Sequence, residues 1–305
     1  MMEKPLSTWK WNRTQIQWAA MLAPCFLVLL LFQYIPMFGN IIAFKDFRLD
    51  LGILASPWNG LANFRLLFGG ADFVAAIKNT LVISLLRLGI GFWAPIILAL
   101  LLNEVRVTWF KRTVQTVTYL PYFFSWVILG GIFLMVFSLR GPANLIVAAV
   151  GLDPVTFLTE DRWFLALLIG TGIWQTVGYG AVIYLAALAG IPVQLYEAAA
   201  VDGANRWQQM RTITLPSLAP TMIVLFILSL GHILSAGFDQ VYNLYNPMVY
   251  DVADILDTYV LRRMQTMDFG LAAAAGLFKS AVGLALIVGA NSLVRRLSGG
   301  ERGVW

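Results

Sequence analysis

Charge is what this chain has least of. Only 12% of its 305 residues are Asp, Glu, Lys or Arg, against about 25% in ordinary soluble domains. It has one cysteine, Cys25, and one histidine, His232. A lone cysteine closes no intramolecular disulfide, and a lone histidine excludes a multi-histidine metal site. There is no H-E-x-x-H stretch for an intramembrane protease. No Gly-Lys pair occurs anywhere, so the G-x-x-x-x-G-K-[ST] phosphate loop is missing, and GLFKS at 276–280 does not replace it. This polypeptide is therefore not expected to hydrolyse ATP by itself.

Apolar residues fill the space that charge leaves, at 59% of the chain. A water-soluble core does not account for that balance, and a lipid bilayer does. Six spans are expected, at about 17–39, 72–102, 113–137, 163–190, 216–237 and 269–294. Each run is continuous rather than alternating, which favours helices over a barrel. The first run is too long for a signal-peptide core, and it continues into QYIPMFGN without a small-residue cleavage site. The fold expected is an all-α membrane protein.

Lys and Arg set the orientation. With the N-terminus inside, the inner segments hold 11 of the 21 basic residues and the outer segments 7. Lys78, Arg87 and Lys279 fall within spans (11 + 7 + 3 = 21). Both termini are then cytoplasmic, as tails 1–16 and 295–305 around a transmembrane domain 17–294. The formal charge of +5 fits cationic residues kept on the inner face, not a nucleic-acid partner.

One inner segment, 191–215, is long enough to build a surface. EAAAVDGANRWQQMRTITLP, from Glu197 to Pro216, predicts a helix, a bend at Gly203, a second short helix over ANRWQQMRTI, and a restart at Leu215-Pro216 as the fifth span. Helix pattern alone leaves open a plain interfacial hairpin anchored by Trp207, Arg206 and Arg211. The spacing is more specific. Glu-Ala-Ala, three residues, Gly, nine residues, Ile, one residue, Leu-Pro is met in full at Glu197, Ala198, Ala199, Gly203, Ile213, Leu215 and Pro216, with Asp202 inside it. This signature resembles that of the permease subunits of ABC importers.

The resemblance extends over nearly the whole chain. It is nearest to the maltose-type sugar permeases, in the LplB-like polysaccharide and oligosaccharide branch. GLANFRLLF at 60–68, QTVTYLPYFFSWV at 115–127 and AGFDQVYNLYNPMVYDVADILDTYV at 236–260 carry it. The resemblance implies a type I importer fold in the bacterial inner membrane. It also implies a second homologous permease, two ATP-binding cassette subunits and an extracytoplasmic solute-binding protein. ATP and Mg would sit on the cassette subunits, with no cofactor on this chain. It places the loop helix in a cleft of the ATPase, with Glu197 facing a basic residue and Gly203 supplying the bend.

Candidate substrate contacts come from the spans. Ionisable side chains cost about 2.5–3.5 kcal/mol at a helix centre, so Arg87 and Lys279 need a reason. Either they line a wet cavity that draws an anionic, uronate-type oligosaccharide, or carbonyls and acids of the partner permease satisfy them. Trp174, Gln175 and Tyr179 in GIWQTVGYG, with His232, offer stacking and hydrogen bonds to a sugar, or ordinary helix packing. An ion-coupled secondary sugar transporter is the rival reading, and it leaves the loop signature unexplained.

Overall fold

The computed structural model describes residues 12–231 and 233–297. Among them the one β feature is an isolated bridge between Lys45 and Trp58. The rest is helix and turn, and five helices are long and apolar enough to cross a membrane: α1 (Arg13–Phe44), then Ala71–Glu104, Asp161–Ala189, Arg206–Gly231 and Phe269–Arg296. Residues 13–37 of α1 carry no buried side chain, and only its last turns, around buried Ala43, join the body.

Helix α2 (Ala62–Gly69) leads into α3 (Ala71–Glu104). The stretch RLGIG loosens α3 into a π-turn at Arg87–Gly91, about halfway along. Next come α4 (Thr108–Phe123) and α5 (Trp126–Val136), which meet at 104°. The expected span 113–137 is thus no straight helix. Pro121 tightens the end of α4 into a 3-10 turn, and Phe124 and Ser125 are extended. Hydropathy summed over the window cannot see the corner, because both arms are apolar.

After α6 (Pro142–Ala149) comes α7 (Asp161–Ala189), roughly 44 Å long at 1.5 Å per residue. Glycines let its neighbours close in. A Cβ on Gly178 would overlap the Thr118 carbonyl and the Tyr119 amide of α4, and one on Gly180 would sit 3.0 Å from Pro95 of α3. The loop helix α8 (Val193–Val201) then precedes α9 (Arg206–Gly231). Here two expectations are corrected. The loop's second helix is not separate, since α9 runs unbroken through Leu215-Pro216. Pro216 lacks an N–H and crowds the carbonyl four residues back, and α9 absorbs this as a π-turn at Met210–Thr214. Nor does the fifth span continue as one α-helix to 237: the helix is described as far as Gly231, and Ile233–Ser235 form a 3-10 turn.

Beyond that turn lie α10 (Phe238–Leu244), α11 (Leu256–Gln265) and the closing helix α12 (Phe269–Leu297). Segment 254–262 is riveted to its surroundings. The Asn79 amide donates to the Asp254 carbonyl at 3.1 Å, and the Leu256 amide donates to Thr80 Oγ1 at 2.8 Å. Arg262 grips both Asp254 oxygens at 2.9 and 2.7 Å. That pairing holds its guanidinium above the ordinary arginine range.

Buried side chains gather at the two ends of the bundle. Near the α8 end, Ile96, Ala99, Ala181, Tyr184, Leu188 and Leu218 join α3, α7 and α9. At the far end, Ile83, Phe164, Leu168, Val241 and Leu244 form one cluster, and Phe73, Ala76, Tyr259 and Ala274 another. Along α3, Arg87 falls between Ile83 of the far cluster and Ile96 of the near one.

Candidate functional site

The loop after α7 is built by backbone chemistry. Pro192 is the N-cap of α8. The helix stops in a Schellman turn: the Ala204 amide donates to the Ala199 carbonyl at 2.9 Å, and the Gly203 amide to the Ala200 carbonyl at 3.1 Å. That turn needs a left-handed residue just past the cap, and Gly203 sits at φ 79° with no atom within 4 Å of where a Cβ would be. Two residues later a capping box starts α9. Asn205 accepts from the Gln208 amide at 2.9 Å, and Gln208 Oε1 accepts from the Asn205 amide at 2.7 Å. The Asp202 amide donates to the Ala198 carbonyl at 3.0 Å, while its own side chain stays exposed.

Two further bonds fix this knob to the bundle. Tyr196 Oη and Thr214 Oγ1 share a hydrogen bond of 2.9 Å, and Arg206 pairs with Glu104 at the end of α3 at 2.8 Å. Ile213 and Leu215 turn partly inward, and Pro216 stays exposed. Glu197 and Ala198 are exposed, and Glu197 has no ion pair among the described residues.

Two cavities adjoin the Gly231 end of α9. The first, of about 560 Å³, is lined by Arg87, Ser84, Ile173, Thr176, Leu228 and Ser229, among others. Arg87 donates to Gln240 Oε1. Gln240 is 1% exposed and is itself fixed, donating to the Leu168 carbonyl at 2.8 Å and to Thr171 Oγ1 at 2.7 Å. Glycines make room for this pair. A Cβ on Gly172 would meet Gln240 Oε1 at 2.8 Å, and one on Gly237 would overlap the Arg87 guanidinium. Gly237 is also left-handed, at φ 73°, as the N-cap of α10.

The second cavity, of about 580 Å³, shares Ser235 and Gly237 with the first and is walled by Trp126, Phe238, Asp239 and Lys279. Lys279 does not wait there for a counterion, because its Nζ lies 2.6 Å from Asp257. Next to this cavity Phe238, Tyr242, Tyr245 and Tyr250 follow one another with ring centroids 5.5, 6.0 and 5.2 Å apart. Burial first, then Tyr250, pushes the Tyr245 phenol up to about 12.

The span candidates on α7 fall outside the walls of these cavities. Gly172, Ile173 and Thr176 line the first cavity, whereas Trp174, Gln175 and Tyr179 line neither of these two. Those three face the corner between α4 and α5. Gln175 donates to the Phe124 carbonyl at 3.2 Å, Tyr179 stacks on Tyr122 at 3.9 Å, and Trp174 meets Phe133 edge-on at 5.7 Å. His232 lies outside the described residues. Sequence reasoning missed Ser84 and Gln240, two uncharged side chains that stood out only as polar residues in apolar company.

Residues 91–299 match the family described as the inner membrane component of binding-protein-dependent transport systems. The chain is 44% identical over 287 residues to the polygalacturonan/rhamnogalacturonan transport system permease protein YteP of Bacillus subtilis, covering 93% of this chain and 89% of that protein. It is 42% identical to protein LplB of the same organism, covering 90% of this chain and 87% of that one. Among solved structures it superposes, with a TM-score of 0.88 and 40% identity over 96% of this chain and 98% of the other, on a chain of a bacterial alginate ABC transporter in complex with an alginate pentasaccharide-bound periplasmic protein. The capped loop, the continuous α9 and the bent third span sit in a chain that belongs to the binding-protein-dependent inner membrane component family, a multi-pass permease of the sugar ABC importers.

Proposed function

We propose that this permease forms half of the pathway by which an acidic oligosaccharide enters a bacterial cell. A second homologous permease supplies the other half. Two ATP-binding cassette subunits hold ATP and Mg, and a solute-binding protein delivers the sugar from outside. In this reading α8 and the α9 start lie in the cytoplasm, as do both termini, consistent with the excess of inner Lys and Arg. Family membership leaves no need for the ion-coupled rival.

The observation that carries the coupling role is the Schellman turn at Gly203, which leaves Glu197 free on an exposed face while the helix end is satisfied internally. An unpaired acid on a rigid, exposed helix suits a basic cleft, where it makes a charge-assisted hydrogen bond. Ala198 and Ala199 keep that face shallow. The acidic substrate is supported by two relatives, one described as serving polygalacturonan and one alginate. This chain's work is binding, guiding and coupling; the ATPase subunits do the covalent chemistry.

The test is uptake by vesicles carrying both permeases, with and without the ATPase and binding protein, offered trigalacturonate or a neutral trisaccharide. ATP-dependent accumulation of trigalacturonate is expected. Uptake that follows an ion gradient without ATP would sink the importer assignment, and uptake of the neutral sugar alone would sink the acidic one.

A further inference from the structure

We propose that Ser84 and Arg87 form a carboxylate-reading station in the first cavity, where a uronate unit of the passing oligosaccharide is held for a moment. This rests on the reading that the cargo is acidic.

The two span cations are not alike. Lys279 is neutralised by Asp257 at 2.6 Å. Arg87 forms no ion pair with any described carboxylate, and the acceptor it has, Gln240 Oε1, is neutral. Among the described residues its positive charge therefore stays uncompensated in the middle of a span, where solvation is poorest.

The guanidinium is also held in place. Gln240 is anchored by two bonds of its own, and Gly172 and Gly237 bracket the pair. A fixed donor loses little freedom when a ligand arrives. Most of the five guanidinium donors remain unused, since one bond, to Gln240, is all that Arg87 makes among the described residues. Arg87 Nε and Ser84 Oγ are buried without a partner, and both residues line the same cavity. Ser84 is 6% exposed, and it stands three residues before Arg87, on the same helix face. Buried donors without acceptors are costly, and the cost vanishes when an acceptor enters.

One positive charge, with a planar fork of unused N–H groups and a hydroxyl beside it, matches a planar monoanion with two oxygens. A uronate carboxylate has that form, whereas a phosphate dianion would leave a charge unmatched. Gln240 then has a second use. Its amide oxygen competes for the guanidinium, so the carboxylate is caught without being trapped, as a conduit requires.

The measurement is vesicle uptake of trigalacturonate against the same trisaccharide with its carboxyls reduced to alcohols, with assembly followed by co-purification of the second permease and the ATPase. In Arg87→Gln the ratio of acidic to neutral uptake should fall at least tenfold, and in Arg87→Lys by less. Ser84→Asp places an internal counterion beside Arg87, so it should assemble and lose the acidic preference. The double variant Lys279→Met with Asp257→Asn, which removes a pair of opposite charges together, should leave the ratio unchanged. An assembled Arg87→Gln with the wild-type ratio overturns the station while leaving the acidic cargo in place. If Arg87→Gln fails to assemble, Ser84→Asp decides, and an unchanged ratio there overturns the proposal. A wild type that takes up only the reduced sugar removes both readings.

Discussion

Lys279 of α12 and Asp257 of α11 close to 2.6 Å, each about a quarter exposed, and tie the last helix to the segment after α9. A charge pair this withdrawn from water is weak as a source of stability but costly to halve.

Lys279→Met or Asp257→Asn alone should therefore each destabilise the assembled permease by about 2 kcal/mol, below the figure for fully buried pairs because solvent reaches this one. The double variant should regain most of that loss. Thermal unfolding of the purified complex for all four proteins gives the coupling energy. Additive losses would show that the two side chains do not act as a pair.

Glu197 is expected to couple and not to bind sugar. Glu197→Ala should reduce ATP-dependent transport at least tenfold with insertion and permease pairing intact, and Glu197→Lys should be worse through like-charge repulsion. A charge reversal in the ATPase cleft should restore part of the loss. Normal ATP hydrolysis stimulated by loaded binding protein in Glu197→Lys would refute the assignment.

Gly203 has open space around it, so a substitution there meets backbone strain alone. Gly203→Val should uncouple more strongly than Gly203→Asn, since Asn tolerates the left-handed region and a β-branched residue does not. The expected cost for Val is about 1–2 kcal/mol, spent locally. Equal transport by the two variants would mean the Schellman turn is dispensable.

Gly178 and Gly170 lie on the same helix with opposite surroundings. Gly178→Ala drives a methyl into the Thr118 carbonyl and should cost about 2 kcal/mol as overpacking. Gly170→Ala meets nothing within 4 Å and should be neutral or slightly stabilising. The midpoint of heat-induced aggregation for each variant checks the contrast, and a reversed order would show that α4 packs elsewhere.

Much of the bundle was legible because a bilayer imposes one demand, a long apolar run, which can be read residue by residue. The knob was legible for a different reason. Gly203 stands where a helix end requires a left-handed residue, so spacing carries geometry, while the capping box of Asn205 and Gln208 went unread. The corner between α4 and α5 was hidden, since hydropathy has no direction. Pro121 was the available signal, but only the Gln175 bond to Phe124 shows where the chain turns. Trp174, Gln175 and Tyr179 were singled out by residue type; Trp174 turns to the side away from Gly172, Ile173 and Thr176, whereas Tyr179, seven residues past Gly172, shares that face and lies two turns further along. Arg87 stood out as a charge. Its partner Gln240 lies 153 residues away and has no sequence signal of its own.

Because α9 runs without interruption from the knob to the first cavity, it can carry a movement from one to the other. Leu218, packed in the near cluster, and Ile227 are both fully buried along it, so it is gripped at two points ~14 Å apart and pivots at neither. At 1.5 Å per residue, Arg206 and Ser229 lie ~35 Å apart on one rod. On the coupling role proposed for the knob, a pull there would shift Leu228 and Ser229 together with the helices that α9 packs on. A wall of the first cavity would thereby move with the knob, with no part of α9 having to unfold.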